Sequence, residues 1–380
     1  MIQPTGLSGV WHYTNALAGS LADAGFEVAL ATLLPFEALG WNRAVRVWPI
    51  GTRRTYTSSL RSARLRRALD HADKLRRLRR VIKEYRPRIV HIHAPLGKLD
   101  FLYFRYLKTF GARVVYTAHD ARPLVGEAQW FDWARYQAAD GILVHSARCS
   151  EYLVAGGVDG AKITRIAHGN YLELCKDGGL SSHDARSLLG LPSESRVVLF
   201  FGAIAPYKGL DLLLEAFSTL RRTDPDIHLV IAGEPLEDFG PYRRQIETLG
   251  LSDSIRQDLR YLAFEEFARY FLAADLVALP YRRISQSGIL QLAYGFGKPV
   301  VVSDVGGMGE AVLEDHTGIV LPELGAQPLA SAIRQLLSDP GTARDMGARG
   351  RALAASKYSW RAVARDVADV YAGRGGQGGG

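Results

Sequence analysis

The sequence predicts a chain of two doubly wound α/β domains, each a parallel sheet with helices on both faces. Three observations carry that expectation. The chain has 380 residues, about two and a half times a typical ~150-residue domain. Short β-branched runs alternate with helical patterns almost throughout, which is how parallel sheets joined by crossover helices read. Between two such series lies 175–192, with Gly178, Gly179, Ser181 and Ser182 but no long apolar run, the pattern of a connection. The expected division is a first domain over 1–178, a linker over 179–192 and a second domain over 193–358. A closing helix over 359–372 is expected to return to the first domain, and a flexible glycine-rich tail covers 373–380.

In the first half the expected strands are 27–32, 44–48, 89–93, 114–117, 141–145 and 163–166, with helices between them, for example 11–24. Only Met1, Ile2 and Gln3 precede Pro4 and the loop Thr5-Gly-Leu-Ser-Gly9, so the opening strand is expected to be shortened. The second series runs through 197–201, 228–232, 254–261, 276–279, 300–303 and 318–320. Ligands of such sheets sit beyond the carboxyl ends of the strands, so residues just after each strand carry the functional weight.

Hydrophobic residues make up 47% of the chain and charged ones 23%, too apolar a balance for a disordered chain. No stretch approaches the ~18 consecutive apolar residues of a spanning helix, and 1–10 has no basic start of a secretory signal. A cytoplasmic location is the expectation. Cys149 and Cys175 lack ligand spacing, so neither a disulfide scaffold nor a structural zinc is expected.

The net charge of +8 is uneven, because 53–88 carries fourteen Arg or Lys against Asp70, Asp73 and Glu84. Leu60, Leu65, Leu69, Leu75, Leu78 and Ile82 recur there at roughly helical spacing, so the arginines would cover one side of an amphipathic helix. Two readings stand: a helix lying on the anionic inner face of the cell membrane, or the solvated face of a helix packed on its own domain. Nucleic acid is not expected, since no aromatic interleaving or binding motif accompanies the basic run.

Several strand ends carry chemistry. Gly9 opens the first helix, where a glycine lets backbone amides approach an anion. Val114-Val-Tyr-Thr-Ala-His-Asp120 sets His119 and Asp120 just after a strand; the histidine can donate, accept or shuttle a proton, and Asp120 could fix its tautomer. His168-Gly-Asn170-Tyr follows another strand. Phe200-Phe-Gly202-Ala-Ile-Ala-Pro-Tyr-Lys208-Gly209 leads into a helix, with Lys208 placed as a point charge for a phosphate. In the stretch 285–310 the amides of Ser287, Gly288 and Ile289 start a helix and form a second anion site. That stretch closes on the Gly306-Gly307 loop and Glu310.

With these motifs together, the sequence resembles the family 4 glycosyltransferases, whose fold is called GT-B: two Rossmann-like domains facing a central cleft. The resemblance runs from the opening loop and Trp11-His-Tyr-Thr through Tyr116-Thr-Ala-His-Asp, His168-Gly-Asn-Tyr, Pro206-Tyr-Lys-Gly, Gln286-Ser-Gly, Gly297-Lys-Pro-Val-Val and Asp304-Val-Gly-Gly to Ser359-Trp360. It implies retaining transfer of a sugar from a nucleoside diphosphate donor, as co-substrate rather than cofactor, with no essential metal. The acceptor would be a glycan, a lipid-linked molecule or a secondary metabolite. It further implies that Lys208 and the amides at 287–289 hold the diphosphate and that His119 lies beside the donor sugar. Gly9 would lie near the phosphate or acceptor, and Gly202, Gly306, Gly307 and Glu310 on the nucleotide side, with His168 and Asn170 elsewhere in the cleft. Two positions depart from the family pattern. Ala203 and Ala205 stand where the phosphate loop carries an arginine, and around 284–292 the paired glutamates are missing. These departures motivate an alternative, a non-catalytic relative that binds nucleotide or glycan and supports a partner enzyme.

Overall fold

The computed structural model describes residues 1–4, 9–36, 42–52, 60–121, 127–171 and 178–374, with the backbone alone over 60–68. The loop 5–8, the segment 53–59, Cys175 and the tail from 375 lie outside the described residues. The chain divides into two compact units: unit 1 is Met1–Ala167 with Trp360–Gly380, and unit 2 is His168–Ser359.

Unit 1 runs β1 (Ile2–Gln3), α1 (Gly9–Asp23), β2 (Ala29–Leu34), β3 (Arg46–Thr52), α2 (Leu60–Tyr85), β4 (Ile89–Ile92), α3 (Asp100–Lys108), β5 (Arg113–Thr117), α4 (Trp130–Ala138), β6 (Gly141–Val144), α5 (Ala147–Ala155) and β7 (Ile163–Arg165). The sheet order is β3-β2-β1-β4-β5-β6-β7, every pair parallel. Central strands such as β5 and β6 are apolar on both faces because helices cover both, and Val114, Val115, Ile142 and Leu143 are fully buried. The order reverses between β1 and β4, and the crevice of such a sheet lies beyond the carboxyl ends there.

The basic helix α2 turns the apolar residues of its second half inward: Leu78, Val81 and Ile82 are buried, the first and last of them in the core of unit 1, whereas Leu69, expected on the same apolar side, is exposed. Arg76 and Arg80 are 80% and 81% exposed, and Arg77 pairs with Asp73 at 2.8 Å. From Leu75 onward the helix therefore uses its apolar side within its own unit and shows solvent a charged face.

Unit 2 runs α6 (Ser182–Leu188), β8 (Arg196–Phe201), α7 (Leu210–Arg221), β9 (Ile227–Ala232), α8 (Gly240–Thr248), β10 (Ile255–Asp258), α9 (Phe267–Ala273), β11 (Leu276–Leu279), α10 (Gly288–Gly295), β12 (Val300–Ser303), α11 (Gly306–Asp315), β13 (Gly318–Leu321), α12 (Ala326–Ser338) and α13 (Pro340–Ala355). Its parallel sheet is ordered β10-β9-β8-β11-β12-β13, with the reversal between β8 and β11. The last helix, α14 (Trp360–Tyr371), belongs to unit 1, where Val363, Val367 and Val370 share a core with Trp11, Leu17 and Leu21 of α1.

The stretch expected as a linker, 179–192, is structured. Ser181 accepts from the Asp184 amide at 3.1 Å while Asp184 accepts from the Ser181 hydroxyl at 2.6 Å, a reciprocal cap that starts α6. Arg186 then donates to the Ala273 carbonyl at 3.1 Å and to both Asp275 oxygens at 3.0 Å, and Ala185, Leu189 and Leu191 are buried. The units therefore divide at 167/168, and the segment packs as part of unit 2.

Candidate active site

In unit 2 three neighbouring strands, β8, β11 and β12, bring their carboxyl ends together. After β8 the chain passes Gly202 and makes a 3-10 turn, Pro206–Lys208, closed by Gly209 in the left-handed region at φ 69°. A Cβ at Gly209 would overlap the Pro280 carbonyl oxygen just beyond β11, so glycine alone lets the turn lie on that strand end. Lys208 is only 6% exposed. Its Nζ lies 3.2 Å from the point where a Gly202 Cβ would stand, and 5.4 Å from the Tyr281 ring centroid. Burial pulls the ammonium down to about 8, and no carboxylate among the described residues offsets that pull. A buried cation without a counter-charge is a place an anion would be drawn to.

The same point above Gly202 lies 3.0 Å from Ile289 Cδ1, so the ammonium stands beside the first turn of α10. Ser287, buried, caps that helix by accepting from the Leu290 amide at 3.4 Å. This leaves the amides of Gly288 and Ile289 as first-turn donors that the helix itself does not pair. One ammonium and the positive end of a helix dipole thus converge. The sequence reading missed Arg282, which holds the turn in place. Its guanidinium donates to both Asp211 oxygens, at 2.8 and 2.6 Å, and to the Pro206 carbonyl at 3.0 Å, while its amide donates to the Tyr207 carbonyl at 2.6 Å. Burial works against the Asp211 charge, yet the bonds from Arg282 hold its carboxyl below the ordinary range. Pro280-Tyr-Arg282 directly after β11 was the available sequence signal.

The glycine pair that opens α11 serves close packing. Gly306 sits at φ 55°, and a Cβ there would overlap the Ile284 carbonyl oxygen. The amide of Gly307, a residue expected on the nucleotide side, donates to the Ser285 carbonyl at 2.9 Å, joining α11 to the loop ahead of α10. Glu310 is half-buried on α11. His168 is buried, donates from Nδ1 to the Gly169 carbonyl at 2.9 Å, and is brought down to about 4, first by burial. Asn170 fastens its segment to the end of unit 2: its side-chain amide donates to the Ala354 carbonyl and, at 2.7 Å, to that of Tyr358.

In unit 1, His119 is half-buried after β5 and Asp120 beside it is exposed. Aromatic rings gather there. Tyr13 of α1 meets His119 edge-on at 4.7 Å, His145 at 5.2 Å and His93 at 5.8 Å. His93, His119 and His145 stand within two residues of the ends of β4, β5 and β6; the first and last were not singled out from the sequence. His91 bonds the Tyr371 hydroxyl at 2.6 Å and Thr117 Oγ1 at 2.7 Å. Burial first, then nearby positive charge, holds His91 and His93 far below the ordinary histidine range. Both ring nitrogens of His93 are buried with no hydrogen-bond partner among the described residues. Gly9 opens α1, and a Cβ there would meet nothing within 4 Å.

Two family models match, Glycosyltransferase Family 4 over residues 7–173 and Glycosyl transferases group 1 over 182–353. The D-inositol 3-phosphate glycosyltransferase of Kineococcus radiotolerans is 31% identical over 253 residues, 62% of this chain and 57% of that protein. The protein of the same name from Streptomyces bingchenggensis is 30% identical over 273 residues, 67% of this chain and 56% of that protein. The match thus spans little more than half the length of these relatives. Among solved structures, Anabaena HepE in complex with UDP aligns at a TM-score of 0.78 and 18% identity over 98% of both chains. A sucrose-phosphate synthase from Thermosynechococcus elongatus aligns at 0.76 and 22%, over 98% of this chain and 95% of that one. These two likenesses establish the fold, two Rossmann-like parallel-sheet units of GT-B type. With that fold and a family model over each half, the chain belongs to the group 1 glycosyltransferases of family 4 type.

Proposed function

We propose that the protein moves a sugar from a nucleoside diphosphate donor to a glycan, lipid-linked or secondary-metabolite acceptor, with retention at the anomeric carbon. The observation that carries the reading is Lys208, a buried ammonium with no counter-charge beside the open amides of α10. In such a transfer, negative charge builds on the departing phosphate while the anomeric carbon becomes oxocarbenium-like. Fixed donors at the phosphate stabilise that state without reorganising. The proposal gives this work to Lys208 and the amides of Ser287, Gly288 and Ile289, and has no metal in it; among the described residues no three His, Cys, Asp or Glu are placed to hold one. The imidazoles of unit 1 suit a different task. Those of His91 and His93 are uncharged at neutral pH, and His119, partly open, is assigned to a sugar hydroxyl. That Anabaena HepE is solved with UDP and with UDP-glucose supports a UDP-sugar as the first donor to try.

The test is thermal shift and calorimetry of the purified protein against UDP, GDP, ADP and dTDP, with and without divalent metal. Selective stabilisation by one nucleotide without metal is the expected outcome. Proton NMR of the product's anomeric position then checks retention. The alanines at 203 and 205 favour the second reading, a non-catalytic nucleotide- or glycan-binding protein. Binding without transfer to any acceptor would support it, and transfer by the protein alone removes it.

No helix among the described residues is long and apolar enough to cross a membrane. We propose that the exposed arginines of α2 instead attract an anionic lipid surface electrostatically, without insertion. Co-sedimentation with anionic vesicles at low salt, lost at high salt, is the expected result. No binding at low salt returns the helix to a solvated face.

A further inference from the structure

In the motif His168-Gly-Asn-Tyr171 the asparagine anchors the chain, and the tyrosine is carried to the start of α10. Asn170 is tied through both of its amides: the backbone N–H donates to the Tyr358 carbonyl at 2.9 Å and the side chain to the same oxygen at 2.7 Å. The Tyr171 ring packs against His168 and Phe264, with centroids 6.4 Å from each. A Cβ at Gly288 would stand 3.2 Å from Cε2 of Tyr171 and 3.6 Å from its hydroxyl oxygen. Glycine at 288 therefore lets a phenol lie against the first turn of α10, where the Gly288 and Ile289 amides have no partner within the helix. All of these residues belong to unit 2.

The phenol brings that turn a donor of a different kind from Lys208. Tyr171 is only 7% exposed. Burial alone raises its phenol above the ordinary range, with no hydrogen bond and no charge contributing, so the hydroxyl keeps its proton at neutral pH. Packing alone would be served as well by phenylalanine, because a buried hydroxyl costs free energy until a partner takes it. The positive end of α10 draws an anion to this place, and an anion there is an acceptor within reach of the phenol.

We propose that Tyr171 is a further phosphate-binding residue, its hydroxyl donating to a diphosphate oxygen held at the first turn of α10. The assignment rests on the reading of unit 2 as a nucleoside diphosphate site. Lys208 supplies charge, and the phenol supplies direction: its ring is fixed by packing, so little freedom is lost when the bond forms. Being neutral, it adds no desolvated charge to the empty site.

The test is Tyr171→Phe, which keeps the ring and its packing. Calorimetry follows the nucleoside diphosphate that binds the parent protein, and ligand-observed NMR titration follows the matching nucleoside. Diphosphate affinity is expected to fall about tenfold, while nucleoside affinity stays within about twofold. Equal diphosphate affinity in parent and variant overturns the proposal and leaves the nucleotide site standing. Equal losses for both ligands overturn it as well, because they mark a packing role that does not distinguish phosphate. If none of UDP, GDP, ADP and dTDP binds the folded parent protein, the reading of unit 2 falls and takes this assignment with it.

Discussion

The two units share an architecture and a rule of placement, and they arm their strand ends with opposite chemistry. At the carboxyl ends of β8, β11 and β12 stands one buried ammonium and a helix start with open amides, braced by an arginine–carboxylate pair and glycines that admit no side chain. At the ends of β4, β5 and β6 stand imidazole rings around Tyr13. The difference teaches how a doubly wound sheet divides labour. An anion needs positive charge fixed before it arrives, because reorganising dipoles around it costs energy. Burial holds His91 and His93 far below the ordinary histidine range, so those two imidazoles bring hydrogen-bonding groups without a fixed charge.

The sharpest way to break this contrast is Lys208→Met. Loss of a charge-assisted contact of about 1.5–3 kcal/mol should weaken binding of the preferred nucleoside diphosphate about 10- to 100-fold by calorimetry. Tm should hold or rise, since a desolvated ammonium goes with the side chain. Unchanged affinity would remove the anion site from unit 2. His119→Ala probes the other side. Turnover should fall at least about tenfold while nucleotide affinity stays within about twofold, and a parallel loss of both would erase the division between the units.

Most of the fold was legible because β-branched runs and helical periods alternate locally, and β11 and β12 fall on the expected residues, 276–279 and 300–303. The misreading at 179–192 has a physical cause. α6 is seven residues long with one buried apolar position, too short to show a period, and its stability rests on a cap and on Arg186 reaching Ala273 and Asp275, far along the chain. The site divides in the same way. Lys208 and Ser287 stand directly beside strand and helix ends and could be named from local pattern. Arg282 has a local signal in its place after β11, but its bracing role could not be named, because its partner Asp211 lies 71 positions away. Nor could the Gly307 amide be assigned, since only the fold shows that Ser285 takes it.

A pH titration sharpens the comparison without a substitution. Burial puts Lys208 near 8 in the free protein, and the protonated form is the one that attracts a diphosphate. Below that value the site is charged, and little pH dependence is expected. Above it, binding must draw a proton from solvent, so affinity falls as pH rises, about fourfold between pH 7 and 8.5. Lys208→Met should flatten this slope. A slope of the opposite sign would mean that the neutral amine binds, which contradicts an anion site.

The smallest effect belongs to Arg282→Ala, and it separates bracing from contact. Arg282 has its guanidinium on Asp211 and the Pro206 carbonyl, so its influence on a diphosphate must pass through the turn that carries Lys208. The pair is more than a third exposed on each side, which limits its worth to about 1 kcal/mol or less. Nucleotide affinity should therefore fall only about two- to fivefold. The decisive measurement is the double variant with Lys208→Met. If Arg282 acts by holding the lysine, its loss costs nothing further once the lysine is gone, and the two effects are non-additive. Additive losses would mean that the guanidinium leaves Asp211 to meet the phosphate itself. It would then fill the role for which this chain has alanine at 203 and 205.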